Sequence, residues 1–541
     1  MTPKMPVMSE TARATAAYNA GNALCRAGRM QDGVVEYRKA LALRPDYVDA
    51  QINLANALQH LGNNAEAIAV LKEALQRRPE YAQAWSNLAW LYREGDNFEL
   101  GIEAANKAIA LAPKAPQPLV NLSICLTEAR RYTEAADAAR RAIALRGDFA
   151  EAHASLGGAL RYLNQYDEAI AALRRAVSLR PNYAIGLNNL AIALADTDQF
   201  EEAIAVHRQA VAAVGGEAGM RWNLSFTLLK AGHFREGFVQ YEARHQVLAA
   251  QSSARSSGKP QWDGSDLSSR TILLHAEQGV GDTIQFIRYL PMVVGRGGRV
   301  ILECQSGLHR LLGGLPGVAG LVPAQGPMPA FDVYCAVMTL PAVFETTLKT
   351  IPAQIPYLHS EKGLLEDWAR RVEESAGKRL KVGLCWAGDP RLKNDRNRSM
   401  PAGEFAPLGK LKGVWFCNLQ KRGGGSTGEP ARPSRTELPA DLAVTDWTEE
   451  LRDFADTAAL IENLDVVISV DTAVAHLGGA LGKPVFLLLP KPSEWRWMSA
   501  REDSPWYPTM RLFRQSRPCQ WGEPMARVAE AIAGFVQDRG A

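Results

Sequence analysis

The chain has 541 residues, too many for a single core, and at roughly 100 to 200 residues per domain it should divide into several. Its 61 Lys and Arg against 58 Asp and Glu leave a net charge of +3, which gives no general electrostatic case for nucleic acid or an anionic membrane as partner. The seven cysteines form no CxxC pair and no zinc-type cluster, no apolar run reaches about 18 residues, and Met1 to Arg13 lacks a signal-peptide core. A cytoplasmic protein with reduced thiols, no membrane span, no nucleic-acid partner and no metal site is the expectation.

Pro45, Pro79, Pro113, Gly147, Pro181 and Gly215 recur with a period of 34, the tetratricopeptide period. Seven helix pairs are predicted over residues 14–248, the first helices opening near Ala14, Val48, Ala82, Pro116, Ala150, Ala184 and Ala218. Small residues such as Gly21, Ala55, Ala89 and Gly157 stand where paired helices must approach closely. Units of this kind bury their apolar faces only by stacking, so an α-solenoid follows. Asn19, Asn53, Asn87, Asn121, Asn189 and Asn223, with Ser155 between, repeat at one position of the first helix. Their amides both donate and accept, and can hold an extended peptide by its backbone. The O-GlcNAc transferase family, whose repeats hold protein substrates this way, is similar here. Asparagine is also the usual residue at this position in tetratricopeptide repeats of many functions.

Residues 249–268, with the polar run Gln251 to Pro260, read as a linker. Beyond it, apolar runs at Thr271–His275, Val300–Cys304, Phe331–Cys335, Val382–Trp386, Val414–Leu419, Val466–Val470 and Val485–Leu489 alternate with helical stretches. That alternation predicts parallel sheets with crossover helices. A charged helix over Glu361 to Arg379 separates two α/β halves, 269–375 and 376–541.

The first strand ends in His275-Ala-Glu-Gln-Gly279-Val-Gly281-Asp282, with a helix predicted over Ile284 to Leu290. Gly279 and Gly281 begin a GxGxxG pattern and Glu303 stands where a ribose-binding acid would, but Ile284 replaces the third glycine and weakens a dinucleotide site. Later, Val466–Val470 runs into Asp471-Thr472-Ala-Val-Ala-His476, opening a small-residue helix whose amides suit a diphosphate. A plainer alternative has Asp471 or Thr472 capping that helix and His476 packing inward.

With both turns in view, residues 270 to about 535 resemble the heptosyltransferase-like glycosyltransferases of family 9, through Gly281-Asp282, Asp471-Thr472, His476-Leu477 and Ala480-Leu-Gly-Lys-Pro484. The resemblance implies a GT-B fold of two Rossmann-like domains, the first on the acceptor side and the second on the donor side. It also implies inverting, metal-independent transfer, with a nucleotide sugar as substrate and no cofactor. Asp282 would be general base for the acceptor hydroxyl, as glycosyl transfer requires. Gly279, Gly281, Arg398, Lys421, Asp471, Thr472 and His476 would bind the donor, with Arg422 beside Lys421. The segments Pro492 to Trp497 and Ser504 to Pro508 set aromatics beside charges, as carbohydrate sites and tightly packed loops both do, which makes Trp495, Arg496 and Trp497 candidates for sugar or acceptor contact. In GT-B folds the closing helix, here Pro524 to Phe535, tends to cross back onto the first domain. Ala473 stands where the family usually has glycine, and Arg398-Ser-Met-Pro401 replaces its lysine-containing loop, which leaves room for a donor other than ADP-heptose.

The expected function is therefore sugar transfer from a nucleotide sugar to an acceptor, with a protein or peptide partner recruited through the repeats. The alternative, from another class, is a repeat scaffold whose glycosyltransferase-like domain is inactive or only senses nucleotide sugars.

Overall fold

The structure is a computed structural model and describes residues 9–248, 258–324, 326–390, 395–421 and 437–540. Two compact units divide the chain, one ending at Leu194 and adding Ala205–Gly215, the other joining Ala195–Ile204 to residues from Gly216 on. The seventh helix pair thus belongs with the α/β part. Much of the predicted linker lies outside the described residues, but Trp262 and Leu267 are buried and the Trp262 N–H donates to the Tyr334 carbonyl (2.8 Å).

Tetratricopeptide repeats form the N-terminal solenoid. First helices begin at Glu10, Val48, Ala82, Pro116, Ala150, Ala184 and Ala218, and the second helices of the first six pairs follow each after a short turn. Gly157 shows why small residues recur, since a Cβ there would lie 2.4 Å from Leu173 Cγ. At this pair the helices close only because one of them has no side chain there.

One buried group sets a pH limit on the first unit. His207 is fully buried in helix Phe200–Ala213, and burial pushes its imidazole down to about 4. The unfolded chain binds this proton near pH 6.5, so stability is lost as pH falls from about 6.5 towards 4, by at most about 1.4 kcal/mol per pH unit. Leu173 holds the matching place one repeat earlier. His207→Leu should flatten the fall in the urea midpoint between pH 7 and 5 by up to one proton. An unchanged slope would remove His207 as the cause. His476, also pushed down by burial, adds a fall of the same sign from the second unit.

The C-terminal part holds two all-parallel sheets of α/β character. The first contains β1 (Thr271–His275), β2 (Arg299–Cys304), β3 (Val318–Pro323) and β4 (Val333–Ala336) in the order β3-β2-β1-β4. The second contains β5 (Leu380–Cys385), β6 (Val414–Asn418), β7 (Val444–Asp446), β8 (Val466–Val470), β9 (Val485–Leu489) and β10 (Met510–Arg514), ordered β10-β9-β8-β5-β6-β7. Crossovers leave β5 in opposite directions, which creates a crevice beyond the β5 and β8 ends. The closing helix Gly522–Gly540 does not cross back: Met525, Val528 and Ile532 pack with Phe405 and Phe513 of the second sheet's own layer. No helix among the described residues is long and apolar enough to cross a membrane.

Candidate functional site

The β1 strand delivers the chain to Gly279, and the helix there runs Val280–Phe286, four residues ahead of the predicted Ile284 start. Gly281 and Asp282 consequently sit in its first turn. Asp282 reaches back as an N-terminal cap, one carboxylate oxygen accepting from the Gly279 N–H (2.9 Å), as an acid at this position commonly does. Gly281 serves packing: a Cβ there would lie 3.1 Å from His476 Cδ2 and 3.5 Å from Ala473 Cα. The two turns singled out in the sequence therefore meet, helix Val280–Phe286 lying against helix Ala473–Ala480.

Thr472 stands at the N-cap of the second helix but turns its hydroxyl to Ser469 Oγ (3.1 Å) and Cys385 Sγ (3.6 Å). Among the described residues the Thr472 side chain makes no capping bond to that helix, whose N-terminal end stands at the β8 end. His476 packs inward, stacked on Trp497 (ring centroids 5.4 Å apart), with Nδ1 2.9 Å from the Tyr507 hydroxyl. Burial, aided by Arg496, Arg288 and Arg398, holds its imidazole well below the usual range and therefore neutral. His476 thus braces the turn, while Thr472 holds the cap position without a side-chain capping bond.

Arg496 is the hub of the charges. It pairs with Asp282 and donates to Glu494 Oε1 (2.7 Å) and Gln285 Oε1 (2.5 Å), with its guanidinium 4.4 Å from the Trp495 ring centre. Burial works against its charge, but Glu494, Asp282 and Asp471 outweigh that and hold it above the usual range. Burial raises Asp471, opposed by Arg398, the Trp497 indole N–H and Arg496, while Asp282 adds to the rise. The Trp497 N–H is near enough for that influence but makes no formed hydrogen bond. Burial also pushes Glu494 up against Arg496, although a third of its side chain still meets solvent. Three carboxylates and two guanidiniums thus share one crevice, with an uncapped helix beside them.

Other predicted residues fall differently. Arg398 hydrogen-bonds Asp395 (3.3 Å) and its charge reaches Asp471. Lys421 donates to the Leu451 carbonyl instead, and Arg422 lies outside the described residues. Trp495 and Trp497 are buried, 4% and 0% exposed, so neither offers an open ring face to a sugar. Phe234, Phe238 and Trp506 surround Trp495. Glu303 is buried at the end of β2. Glu494, Gln285 and Tyr507 complete the site. Glu494 and Tyr507 lie in segments marked by aromatics beside charges, whereas Gln285 carries no signal of its own.

The asparagine series joins repeat to repeat. Asn53 donates to Asn22 Oδ1 (2.8 Å) and Tyr18 Oη (3.1 Å), Asn87 to Asn56 Oδ1 (2.7 Å), and Asn121 to the Ser86 carbonyl (2.9 Å). Asn19 is exposed, and Asn189 and Asn223 are partly buried. Replacing Asn53, Asn87 and Asn121 together by Ala should lower stability by about 1 kcal/mol per site before any partner is added. A urea midpoint equal to the wild type's, with peptide binding lost, would return these amides to a groove role. A different feature marks the third repeat. A cavity of about 330 Å³ is lined by Trp85, Tyr92 and Leu100, with Lys107 over the Trp85 ring at 4.3 Å.

Fold and site together define a tetratricopeptide-repeat protein with a C-terminal part of parallel α/β sheets. Models of the tetratricopeptide repeat match residues 24–91, 60–118 and 185–213, and a TPR repeat model matches residues 157–198. Among curated proteins the chain is similar to Protein FlbA of Caulobacter vibrioides, 27% identical over 328 residues, covering 57% of this chain and 54% of that one. The chain thus spans about half the length of that relative. Among solved structures it is similar to the APC/C hetero-tetramer Cut9-Hcn1 (21% identity, 40% of this chain and 43% of that chain, TM-score 0.37). A tetratricopeptide repeat protein from Parabacteroides merdae is another (14% identity, 43% and 92%, TM-score 0.37).

Proposed function

We propose that the C-terminal part is a GT-B glycosyltransferase of two Rossmann-like halves, similar to the heptosyltransferase-like family 9, and that the repeats bring it a protein partner or acceptor. The observation that carries this reading is the meeting of the two turns, Gly281 against Ala473, which sets Asp282 beside the uncapped helix after Asp471. A base and a diphosphate site are the two parts that glycosyl transfer needs at one place.

In the proposed reaction the acceptor hydroxyl gives its proton to Asp282 as its oxygen bonds to the anomeric carbon. The bond from that carbon to the donor diphosphate breaks, its electron pair leaves with the nucleoside diphosphate, and configuration inverts. Arg398 and the first amides of helix Ala473–Ala480 receive the departing charge. Arg496 has a double part. Without donor it neutralises Asp282, and an arriving diphosphate competes for the same guanidinium and frees the carboxylate.

That same pairing favours a second reading. A carboxylate already engaged by the Gly279 N–H and Arg496 also suits a scaffold whose domain senses nucleotide sugars without turnover. A thermal-shift screen against UDP, ADP, GDP, CMP and dTDP sugars, with NAD and NADP as controls, tests both. Stabilisation by one nucleotide sugar, growing with concentration as linkage requires, supports a donor site and opens the search for an acceptor. A flat panel on folded protein would move the weight to an interaction scaffold.

A further inference from the structure

The turn carrying Asp282 contains a residue under backbone strain. Gln278 has φ of 58°, in the left-handed region that non-glycine residues avoid, and such a residue persists only where its surroundings hold it. Gln305 Nε2 donates to the Gln278 carbonyl (3.3 Å), and the rest of its support comes from the seventh helix pair and the short helix that follows it. Gln278 Nε2 donates to the Tyr241 hydroxyl at 2.8 Å. One residue earlier, Glu277 accepts from Arg244 Nε (3.1 Å) and Nη2 (2.7 Å).

The same pair supports the loop that carries Arg496. Phe234 and Phe238 meet the Trp495 ring edge-on, 6.4 and 5.8 Å between centroids. Ser499 donates to Asp198 Oδ1 (2.5 Å) in the preceding inter-helix turn, next to Met498 and Ala500, both also left-handed. This final pair also departs from the repeat pattern. Helices such as Asn64–Arg77 and Tyr132–Leu145 have 14 residues, whereas Phe234–Tyr241 stops after eight and Arg244 begins a new short helix. The helix ends at the residue that reaches Gln278.

We propose that the seventh helix pair is a wall of the candidate site, and that Tyr241 is a positioning residue whose hydroxyl, through Gln278, fixes the turn that presents Asp282. The inference rests on the glycosyltransferase reading only for the role of Asp282, because the turn's order can be measured without any ligand.

Hydrogen exchange on the full chain tests it with Tyr241→Phe, which keeps the packed ring and deletes the acceptor. Amides of residues 277–283 should exchange about five- to tenfold faster, with helices 48–128 unchanged. Gln278→Asn in the Tyr241→Phe background should recover at least half of the lost protection, since asparagine tolerates the left-handed conformation better. Unchanged exchange in Tyr241→Phe overturns the proposal, and so does faster exchange that the added Gln278→Asn change does not slow, because that marks a general loosening. Wild-type stabilisation by nucleoside diphosphates is scored separately. Its absence alongside the expected exchange pattern leaves the positioning role standing and removes the transferase.

Discussion

Asp282→Asn should lower sugar transfer by about a thousandfold and leave nucleoside-diphosphate binding as tight as in the wild type or tighter. General-base catalysis contributes about 10²–10⁴ in rate, and asparagine keeps the shape of the side chain while losing the proton acceptor. The binding half of the prediction comes from Arg496. Its guanidinium is divided among Asp282, Glu494 and Gln285. Removing the Asp282 charge leaves it less neutralised and a better partner for a diphosphate. Turnover and calorimetric affinity, measured on the same preparation, separate the possibilities. Full turnover would remove Asp282 from the base role. Binding weakened more than about threefold would mean that the Asp282 and Arg496 pair builds the anion site rather than blocking it.

The period of 34 made the array legible down to single residues, because a stacked repeat cannot drift in register without exposing its apolar face. Helices begin at Val48, Ala82, Pro116, Ala150, Ala184 and Ala218, where the spacing puts them. The first starts earlier, at Glu10, where the Ser9 hydroxyl accepts from the Ala12 N–H. The buried strands were nearly as plain, since a single polar residue, such as Glu303 in β2 or Ser469 in β8, is the most that interrupts each apolar run. Three others were not. In β3 a glycine interrupts an exposed edge, β7 is three residues long, and β10 carries Arg511 and Arg514 among its apolar positions.

At the site, sequence reached both turns but not what several residues touch there. Gly281 permits two helices to touch, a relation between segments nearly 200 residues apart that no local pattern encodes. Trp495 and Trp497 were legible as aromatics beside charges, a composition shared by sugar sites and by packed loops, and burial decides for the latter. The asparagine amides reach the preceding repeat for the same reason: periodicity tells which residues are equivalent, and only geometry tells what they touch. Tyr241 carries no sequence signal, and Gln278 shows only as one member of the first turn. Each is ordinary alone, and their relation exists only once the last helix pair meets β1.

Arg244→Met should strongly destabilise the C-terminal part, because it removes the fully buried cation of a charge cluster. The Arg244 side chain is 0% exposed and pairs with Glu277 (2.7 Å) and Glu242 (2.5 Å), with the Thr339 hydroxyl at 2.8 Å. The two carboxylates hold its charge above the usual range against the cost of burial. For Glu242, burial pushes up but the His245 and Arg244 hydrogen bonds and charges win, so it is held low. Arg244→Met fills similar space and leaves both carboxylates facing each other with one cation fewer. Breaking a buried pair in this way costs about 3–5 kcal/mol, and the Thr339 hydroxyl, which still donates to Glu242 (3.1 Å), puts the expected loss at the low end, about 3 kcal/mol. Spread over a unit of this size, that lowers its melting temperature by about 5 °C. Adding Glu277→Gln to Arg244→Met should restore part of the loss, because the uncompensated charge causes it. If the double variant melts no higher than the single one, the loss comes from packing around the methionine. The Glu277 and Glu242 contacts would then be by-products of a helix held in place by Phe234 and Phe238, whose rings lie in the same core as Ile284 and Phe286 behind Asp282.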